Sequence, residues 1–163
     1  MVQVFIGFGS NLGEKLVNIK LAIGLISSKL GEVVRQSSLY ESEPWGFESS
    51  EMFVNGVLEI RTKFSAELLL VGLKKIEFDL GRKEKTSTVY TDRLIDLDIL
   101  YYGDKIITMK GLEIPHPRIY TRRFVLEPMV EIAPNFMDIS THKSMKELLN
   151  MCSDASLLKK ILN

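Results

Sequence analysis

The segment RLIDLDILYYG (residues 93–103) has the alternation of a β-strand. Its apolar positions recur at every second residue, at Ile95, Leu97 and Ile99. Asp96 and Asp98 then share the opposite face, about 7 Å apart, although strands disfavour aspartate. One interpretation is a half-exposed strand whose polar face meets water. The other is a binding site in which a cation offsets the repulsion between the two carboxylates.

Strand and helix patterns alternate on either side of this segment. Strands are predicted at residues 2–8, 32–41 and 52–63. A first helix is predicted from apolar residues at helical spacing, which are Leu16, Ile19, Ile23, Ile26 and Leu30. Ser10 or Asn11 is expected to cap this helix, and Gly31 to end it. A second helix is predicted between its cap at Ser65 and the terminating Gly81.

The order of these elements predicts the fold class. After the aspartate strand, a turn is predicted at residues 102–105, leading into a further strand, and a last helical region is predicted beyond PHP (residues 115–117). The order β-α-β-β-α-β has too few strands and too short connections for a doubly wound sheet. We therefore expect an α+β protein, a ferredoxin-like αβ sandwich with a central four-stranded antiparallel sheet and an added hairpin.

The composition is typical of one globular domain, which we place at residues 1–163. Its 21 basic and 21 acidic residues cancel, which argues against a nucleic-acid protein that relies on bulk positive charge. The single cysteine, Cys152, excludes an internal disulfide and fits a reducing compartment. The first residues lack the pattern of a signal peptide or a membrane span, so a cytoplasmic location is expected.

A glycine-rich stretch, GFGSNLG (residues 7–13), joins the first strand to the first helix. Its spacing, G-x-G-x-x-x-G, differs from the dinucleotide-binding fingerprint, and the alternating β-α-β-α pattern of such a domain does not follow. We interpret the stretch as a strand-to-helix turn.

The pair Asp96 and Asp98 has the chemistry of a magnesium site. Magnesium takes one or two carboxylates and completes its octahedron with water and substrate phosphates. Two ions about 3.5–4 Å apart would relieve the repulsion between the carboxylates and bind a polyphosphate.

Cationic side chains occur on both sides of the aspartate strand. They are Arg82, Lys83, Lys85 and Arg93 before it, and His116, Arg118, Arg122 and Arg123 after it. Each alone is typical of a solvated surface. Together they favour a polyphosphate site, because guanidinium groups bind phosphate oxygens in bidentate pairs. His116 lies between two prolines, which constrains its backbone and favours a fixed contact.

Aromatic residues form a further candidate group, which consists of Trp45, Phe47, Phe53 and Phe124. Core packing is one interpretation of these rings. The other is a slot for a flat heterocycle. Asn55 is two residues beyond Phe53 on the same strand face, so its amide could bind the polar edge of such a ligand.

Six motifs extend over most of the chain. They are GSNLG (9–13), SLYESEPWG (38–46), FVNGVLEI (53–60), IEFDLGR (76–82), DRLIDLDILYYG (92–103) and IPHPRIYTRRFVLEPMVEIAP (114–134). Through them the sequence resembles the 6-hydroxymethyl-7,8-dihydropterin pyrophosphokinase family of folate synthesis. The resemblance implies transfer of pyrophosphate from ATP to the hydroxymethyl group of the dihydropterin, with release of AMP. It also implies two Mg²⁺ ions, bound largely with ATP, and we expect a monomer with no nucleic-acid or membrane partner.

The resemblance also implies roles for individual residues. Asp96 and Asp98 would bind both metal ions and would form the catalytic set together with Arg82 and Arg93. ATP would contact Lys74, Glu77, Arg82, Arg93, His116 and Arg122. The pterin would contact Ser42, Trp45, Phe53, Asn55, Asp96 and Phe124, and it would lie between the rings of Phe53 and Phe124.

The chain also departs from the family pattern. Residues 90–92 are Tyr-Thr-Asp, where the family commonly has a tryptophan and then Gly-Pro; Lys74 stands where glutamine is frequent, and Glu43 replaces a usual proline. The polar segment between Arg82 and Arg93 is expected to be a mobile lid that closes over the phosphates.

Two rival functions use the same features differently. A two-metal nucleotidyltransferase or nuclease would also have paired aspartates, but it would need a third carboxylate and a nucleic-acid groove. A ferredoxin-like RNA-binding module would need the K/R-G-F/Y-G/A-F-V-x-F/Y strand, which the sequence lacks.

Overall fold

The computed structural model describes residues 1–81 and 92–161 of the chain, and this part contains eight strands and four α-helices. The strands are β1 (Val2–Ser10), β2 (Glu32–Gln36), β3 (Leu39–Ser42), β4 (Phe53–Thr62), β5 (Asp96–Tyr102), β6 (Ile107–Met109), β7 (Leu112–Ile114) and β8 (Lys159–Ile161). The helices are α1 (Lys15–Lys29), α2 (Ala66–Asp79), α3 (Arg123–Ile132) and α4 (Met145–Met151). The protein is therefore α+β, as its sequence predicts.

One six-stranded sheet forms the centre of the molecule. Its order is β5-β1-β4-β3-β8, and β2 also pairs with β4. The described strand pairs of this sheet are antiparallel. β1 and β4 pair from Val2 opposite Thr62 to Ser10 opposite Val54. β5, which carries the aspartate pair, lies beside β1 at one end of the strand order.

Two apolar clusters cover the two faces of this sheet. The first lies under α1 and α2 and includes Ile6, Ile26, Leu73 and Leu97. The second lies under α3 and α4 and includes Phe5, Tyr101, Leu126 and Met145. The neighbouring residues Phe5 and Ile6 belong to opposite clusters, as the alternation of a strand requires. In the described ranges 1–81 and 92–161, no helix is both long enough and apolar enough to cross a membrane.

The prediction of one continuous strand at residues 32–41 was wrong, because the structure has two strands there, β2 and β3. The chain breaks at Ser37 and Ser38, whose hydroxyls have partners in other elements. Ser37 Oγ accepts from the amide of Val57 at 2.9 Å, and Ser38 Oγ donates to Glu131 on α3 at 2.7 Å. Together with β8, this break gives the sheet six strands rather than the four expected.

The predicted ends of two other elements also differ from the structure. Neither Ser10 nor Asn11 caps α1, whose cap residue is Glu14 without a side-chain cap hydrogen bond. Leu16, expected in the apolar face of α1, is 53% exposed because it lies in the first turn of the helix. The turn at residues 102–105 leads into β6, and β6 pairs with β7 in a separate hairpin instead of with β5.

Gly31, between α1 and β2, tests how tightly the helix layer packs on the sheet. A Cβ atom at Gly31 would lie 2.6 Å from the backbone oxygen of Arg61. We expect Gly31→Ala to lower the free energy of unfolding by about 1–3 kcal/mol, because a backbone atom cannot move aside.

The matched control is Gly24→Ala in the exposed face of α1, where a Cβ would meet nothing within 4 Å. Alanine there should raise the free energy of unfolding by about 0.5–1 kcal/mol, because glycine is a poor helix former. Urea denaturation measures both variants, and equal stabilities would contradict the packing argument.

Candidate active site

Asp96 and Asp98 lie side by side on β5 and face away from α1 and α2. The apolar residues of the same segment are buried under those helices, at Ile95, Leu97 and Ile99. In the pairing of β5 with β1, Asp96 is opposite Gly9 and Asp98 is opposite Gly7. Because glycine has no side chain, the sheet surface next to both carboxylates is open.

Basic side chains contact both carboxylates. Arg93 Nη1 donates to Asp96 Oδ2 at 2.5 Å. On the other carboxylate, His116 Nε2 lies 3.9 Å from Asp98 Oδ2, and Lys74 Nζ lies 4.0 Å from Asp98 Oδ1. The positive charges of Arg93 and Lys74 reduce the repulsion between the two aspartates.

Asn11 fixes the backbone just before β5. Its side-chain oxygen accepts from the backbone amide of Arg93 at 2.7 Å, and its backbone amide donates to the backbone carbonyl of Arg93 at 3.1 Å. Its side-chain nitrogen donates to Asp92 Oδ1 at 2.6 Å. The sequence suggested Asn11 only as a helix cap, because nothing in GSNLG indicates a partner more than 80 residues away.

The segment that carries His116 and Arg122 is bound to the sheet. The amide of His116 donates to a carbonyl of β5 at 2.9 Å. The buried carboxylate of Asp138 accepts from the hydroxyls of Tyr101 on β5 and Tyr120, at 2.9 and 3.0 Å. Burial, and then the bond to Asp138, raises the pKa of Tyr120 to about 12, so this hydroxyl remains a donor.

Burial also changes the protonation of the two basic side chains on that segment. It lowers the pKa of His116, although Asp98 opposes the shift, so the imidazole is neutral at pH 7. His116 Nδ1 accepts from the amide of Arg118 at 3.2 Å, which leaves the proton on Nε2, the atom that faces Asp98. Burial likewise lowers the pKa of Arg122, again against the attraction of Asp98.

An open pocket lies between this face of the sheet and the start of α3. The space between its lining atoms is about 660 Å³, which includes solvent at its open mouth. Its polar end consists of Arg93, Asp96, Asp98 and Arg122. Its aromatic part consists of Trp45, Phe47, Phe53 and Phe124. The structure thus brings the carboxylate pair and the candidate aromatic residues into one cavity.

The aromatic side chains contact each other or a guanidinium group. Phe47 and Phe53 meet edge to face, with ring centroids 6.0 Å apart. Arg122 Cζ lies 4.7 Å from the centroid of the Trp45 ring and 5.5 Å from that of the Phe124 ring. Phe124 also packs against the apolar cluster under α3, so this residue both contributes to the core and lines the pocket.

A polar edge borders the aromatic part of the pocket. Asn55 is 5% exposed, and its side-chain nitrogen donates to Ser42 Oγ at 2.8 Å. A Cβ atom at Gly9 would lie 2.6 Å from Asn55 Oδ1, so only glycine leaves room for this amide. Asn55 and Ser42 both line the pocket.

Lys74 and Glu77 lie on α2, beside β5 and outside the lining of this pocket. Glu77 is 2% exposed, and its Oε1 accepts from the amide of Leu97 at 2.7 Å. The prediction for Arg82 lies outside the described part of the chain, as do residues 83–91 of the predicted lid; Asp92, its last residue, is the partner of Asn11.

Solved structures share this fold. An HPPK-DHPS structure in complex with substrates has a TM-score of 0.75 at 16% identity, and the match covers 91% of this chain and 43% of that one. A Plasmodium falciparum HPPK-DHPS structure has a TM-score of 0.76 at 16% identity, covering 92% and 43%. This chain therefore spans less than half of those solved chains, and the likeness concerns the fold alone.

Sequence comparisons identify closer relatives. A 2-amino-4-hydroxy-6-hydroxymethyldihydropteridine pyrophosphokinase of Aquifex aeolicus is 40% identical over 147 residues, 90% of each chain. One of Porphyromonas gingivalis is 37% identical over 136 residues, 82% of this chain and 92% of its own. The family model of 7,8-dihydro-6-hydroxymethylpterin-pyrophosphokinase matches residues 5–134. The chain belongs to the 7,8-dihydro-6-hydroxymethylpterin-pyrophosphokinase family.

Proposed function

We propose that this chain is an ATP-dependent diphosphotransferase of folate synthesis, which transfers the pyrophosphoryl group of ATP to the hydroxymethyl group of 6-hydroxymethyl-7,8-dihydropterin and releases AMP. Relatives at 37–40% identity are named for this pyrophosphokinase. The observation that carries the proposal is that aromatic residues and a carboxylate pair line the same pocket. A flat heterocycle matches the first part and a polyphosphate the second.

The pterin is proposed to lie in the aromatic part, between the rings of Phe53 and Phe124. Such rings bind a flat heterocycle through offset stacking. The amide of Asn55, already oriented by Ser42, would bind the polar edge of the pterin. The hydroxymethyl group would then point towards Asp96, and Trp45 would close the pocket from the side of its loop.

ATP is proposed to lie at the polar end with its phosphates among Arg93, His116 and Arg122. Release of AMP requires that the hydroxymethyl oxygen attack the β-phosphorus. The new bond joins this oxygen to the β-phosphorus, and the hydroxyl proton is released to water. The bond from the β-phosphorus to the oxygen of the α-phosphate breaks, and that oxygen leaves with AMP. The guanidinium groups would orient the β- and γ-phosphates for this displacement. The catalytic and ATP-binding roles of Arg82 remain predictions. The same holds for the contacts of Lys74 and Glu77 with ATP.

The carboxylate pair fits magnesium. Both side chains offer oxygen, both line the pocket, and they are 21% and 34% exposed. Within 1–81 and 92–161, no group of three or more His, Cys, Asp or Glu residues is arranged for a metal. Magnesium itself takes one or two carboxylates and completes its shell with water and substrate phosphates. Magnesium bound there would neutralise phosphate charge. We propose two ions that bind largely with ATP, since the phosphates would supply much of their coordination.

The finer features of the fold and its setting are also proposals. The strand order β5-β1-β4-β3 with α1 and α2 on one face supports a ferredoxin-like plan. Apolar clusters on both faces of one sheet support a single domain at residues 1–163. A monomer, a cytoplasmic location and the absence of nucleic-acid or membrane partners remain predictions from the sequence.

The activity itself is tested by AMP release from ATP in the presence of hydroxymethyldihydropterin and Mg²⁺. We expect release only when both are added. In the same assay, Asp98→Ala should lower the rate at least a hundredfold, because one carboxylate of the metal pair is lost, while the melting temperature changes little.

The matched control is Asp104→Ala, in the exposed turn after β5. It should keep the rate of the unaltered protein. A folded Asp98→Ala variant with a near-normal rate at saturating Mg²⁺ would show that the metal assignment is wrong.

A second variant tests the pterin site. Phe124→Ala should weaken pterin binding at least tenfold and leave ATP binding nearly unchanged, because it removes one stacking face. Calorimetry with each ligand measures both affinities. Phe136→Ala removes a ring that packs against Phe5 and Tyr101 in the core, so it should lower stability without a selective loss of pterin binding. If Phe124→Ala lost affinity for ATP and pterin equally, Phe124 would be a packing residue and not a stacking partner of the pterin.

A further inference from the structure

The outer edge of β5 is contacted by two side chains of α2. β5 ends the strand order of the main sheet, and Leu97 lies between the two aspartates. The amide of Leu97 donates to Glu77 Oε1 at 2.7 Å, and its carbonyl accepts from Lys74 Nζ at 3.2 Å. These two contacts take the place of a neighbouring strand at this residue.

Lys74 is fixed by several partners although its side chain is 42% exposed. Its Nζ donates to Glu77 Oε1 at 2.9 Å as well as to the carbonyl of Leu97. The same atom lies 4.0 Å from Asp98 Oδ1. An ammonium group is therefore positioned beside one carboxylate of the proposed metal pair.

We infer that Lys74 is a positioning residue that sets the metal affinity of Asp98, in addition to stabilising the edge of β5. The inference depends on the proposed function only in taking this pair as the metal site. A cation at 4 Å partly compensates the carboxylate, and it repels a divalent ion that arrives alone. A divalent ion bound to ATP meets less repulsion, because the phosphates carry negative charge. Lys74 thus disfavours metal binding before the nucleotide arrives.

Lys74→Gln separates the charge from the hydrogen bond. Glutamine can still donate to the carbonyl of Leu97, but it is neutral. Mn²⁺ serves as the probe, and its binding to the nucleotide-free chain is measured by electron paramagnetic resonance at fixed ionic strength. We expect Lys74→Gln to bind Mn²⁺ three- to tenfold more tightly than the unaltered protein. Lys74→Arg, which keeps the charge, should bind Mn²⁺ as the unaltered protein does.

The matched control is Lys75→Gln, one residue further along α2. Lys75 is paired with Asp79 at 3.1 Å on the exposed side of the helix, so the same change of net charge occurs away from the carboxylate pair. It should alter Mn²⁺ binding less than twofold. Adding Asp98→Asn to Lys74→Gln should abolish the gain, which assigns the affinity to this carboxylate.

Two results would overturn the inference. The first is an Mn²⁺ affinity of folded Lys74→Gln that equals or falls below that of the unaltered chain. The second is an equal gain in Mn²⁺ affinity in Lys75→Gln, because the gain would then follow from net charge and not from a cation beside Asp98. Neither result concerns AMP release, since the measurement contains no ATP and no pterin; the proposed function stands or falls with the unaltered protein in its own assay.

Discussion

The close pairing of two carboxylates on one face of β5 is the constraint on which the site depends. Two adjacent negative charges on a strand destabilise it unless nearby groups compensate them. Arg93 contacts one carboxylate, and Lys74 and His116 lie near the other. Of the two cations, Arg93 lies just before β5 and Lys74 lies on α2, so the charge of Asp98 is compensated only after α2 has packed on the sheet. Folding and construction of the site are therefore coupled.

The strand opposite the pair must also be unusual. β1 places Gly9 and Gly7 beside the aspartates, so no side chain fills the space in front of them. Gly9 also leaves the room in which the Asn55 amide lies. An ordinary strand residue at this position would fill the junction between the polar end and the aromatic part of the pocket. Gly7 and Gly9, part of the glycine-rich stretch compared above with a dinucleotide-binding fingerprint, thus leave open space on the sheet surface beside the aspartates.

The sequence predicts best what local periodicity controls. The alternation from Ile95 to Ile99, the Ser65 cap of α2 and the strand β4 agree with the structure, because each depends on neighbours in the chain. Beyond Ile99 the alternation fails, because a register shift between β1 and β5 places Leu100 and Tyr101 in the same apolar cluster. The break after β2 depends instead on Ser38 meeting Glu131 of α3. Likewise, the side chain of Asn11 does not cap α1 but accepts a hydrogen bond from the backbone amide of Arg93. Such long-range hydrogen bonds leave no periodic trace, which is why the sequence did not indicate them.

The charges around the carboxylate pair explain why a nucleotide would suit this pocket better than a bare metal ion. Among the described contacts, each carboxylate has one cation beside it, Arg93 at Asp96 and Lys74 at Asp98, while His116 is neutral. A site with balanced charges offers little net attraction to an isolated divalent ion. A metal–polyphosphate complex carries both signs, so its phosphates can pair with the guanidinium groups while its metal meets the carboxylates. The pairing of opposite charges within the pocket thus favours a ligand that can replace both members of each pair at once.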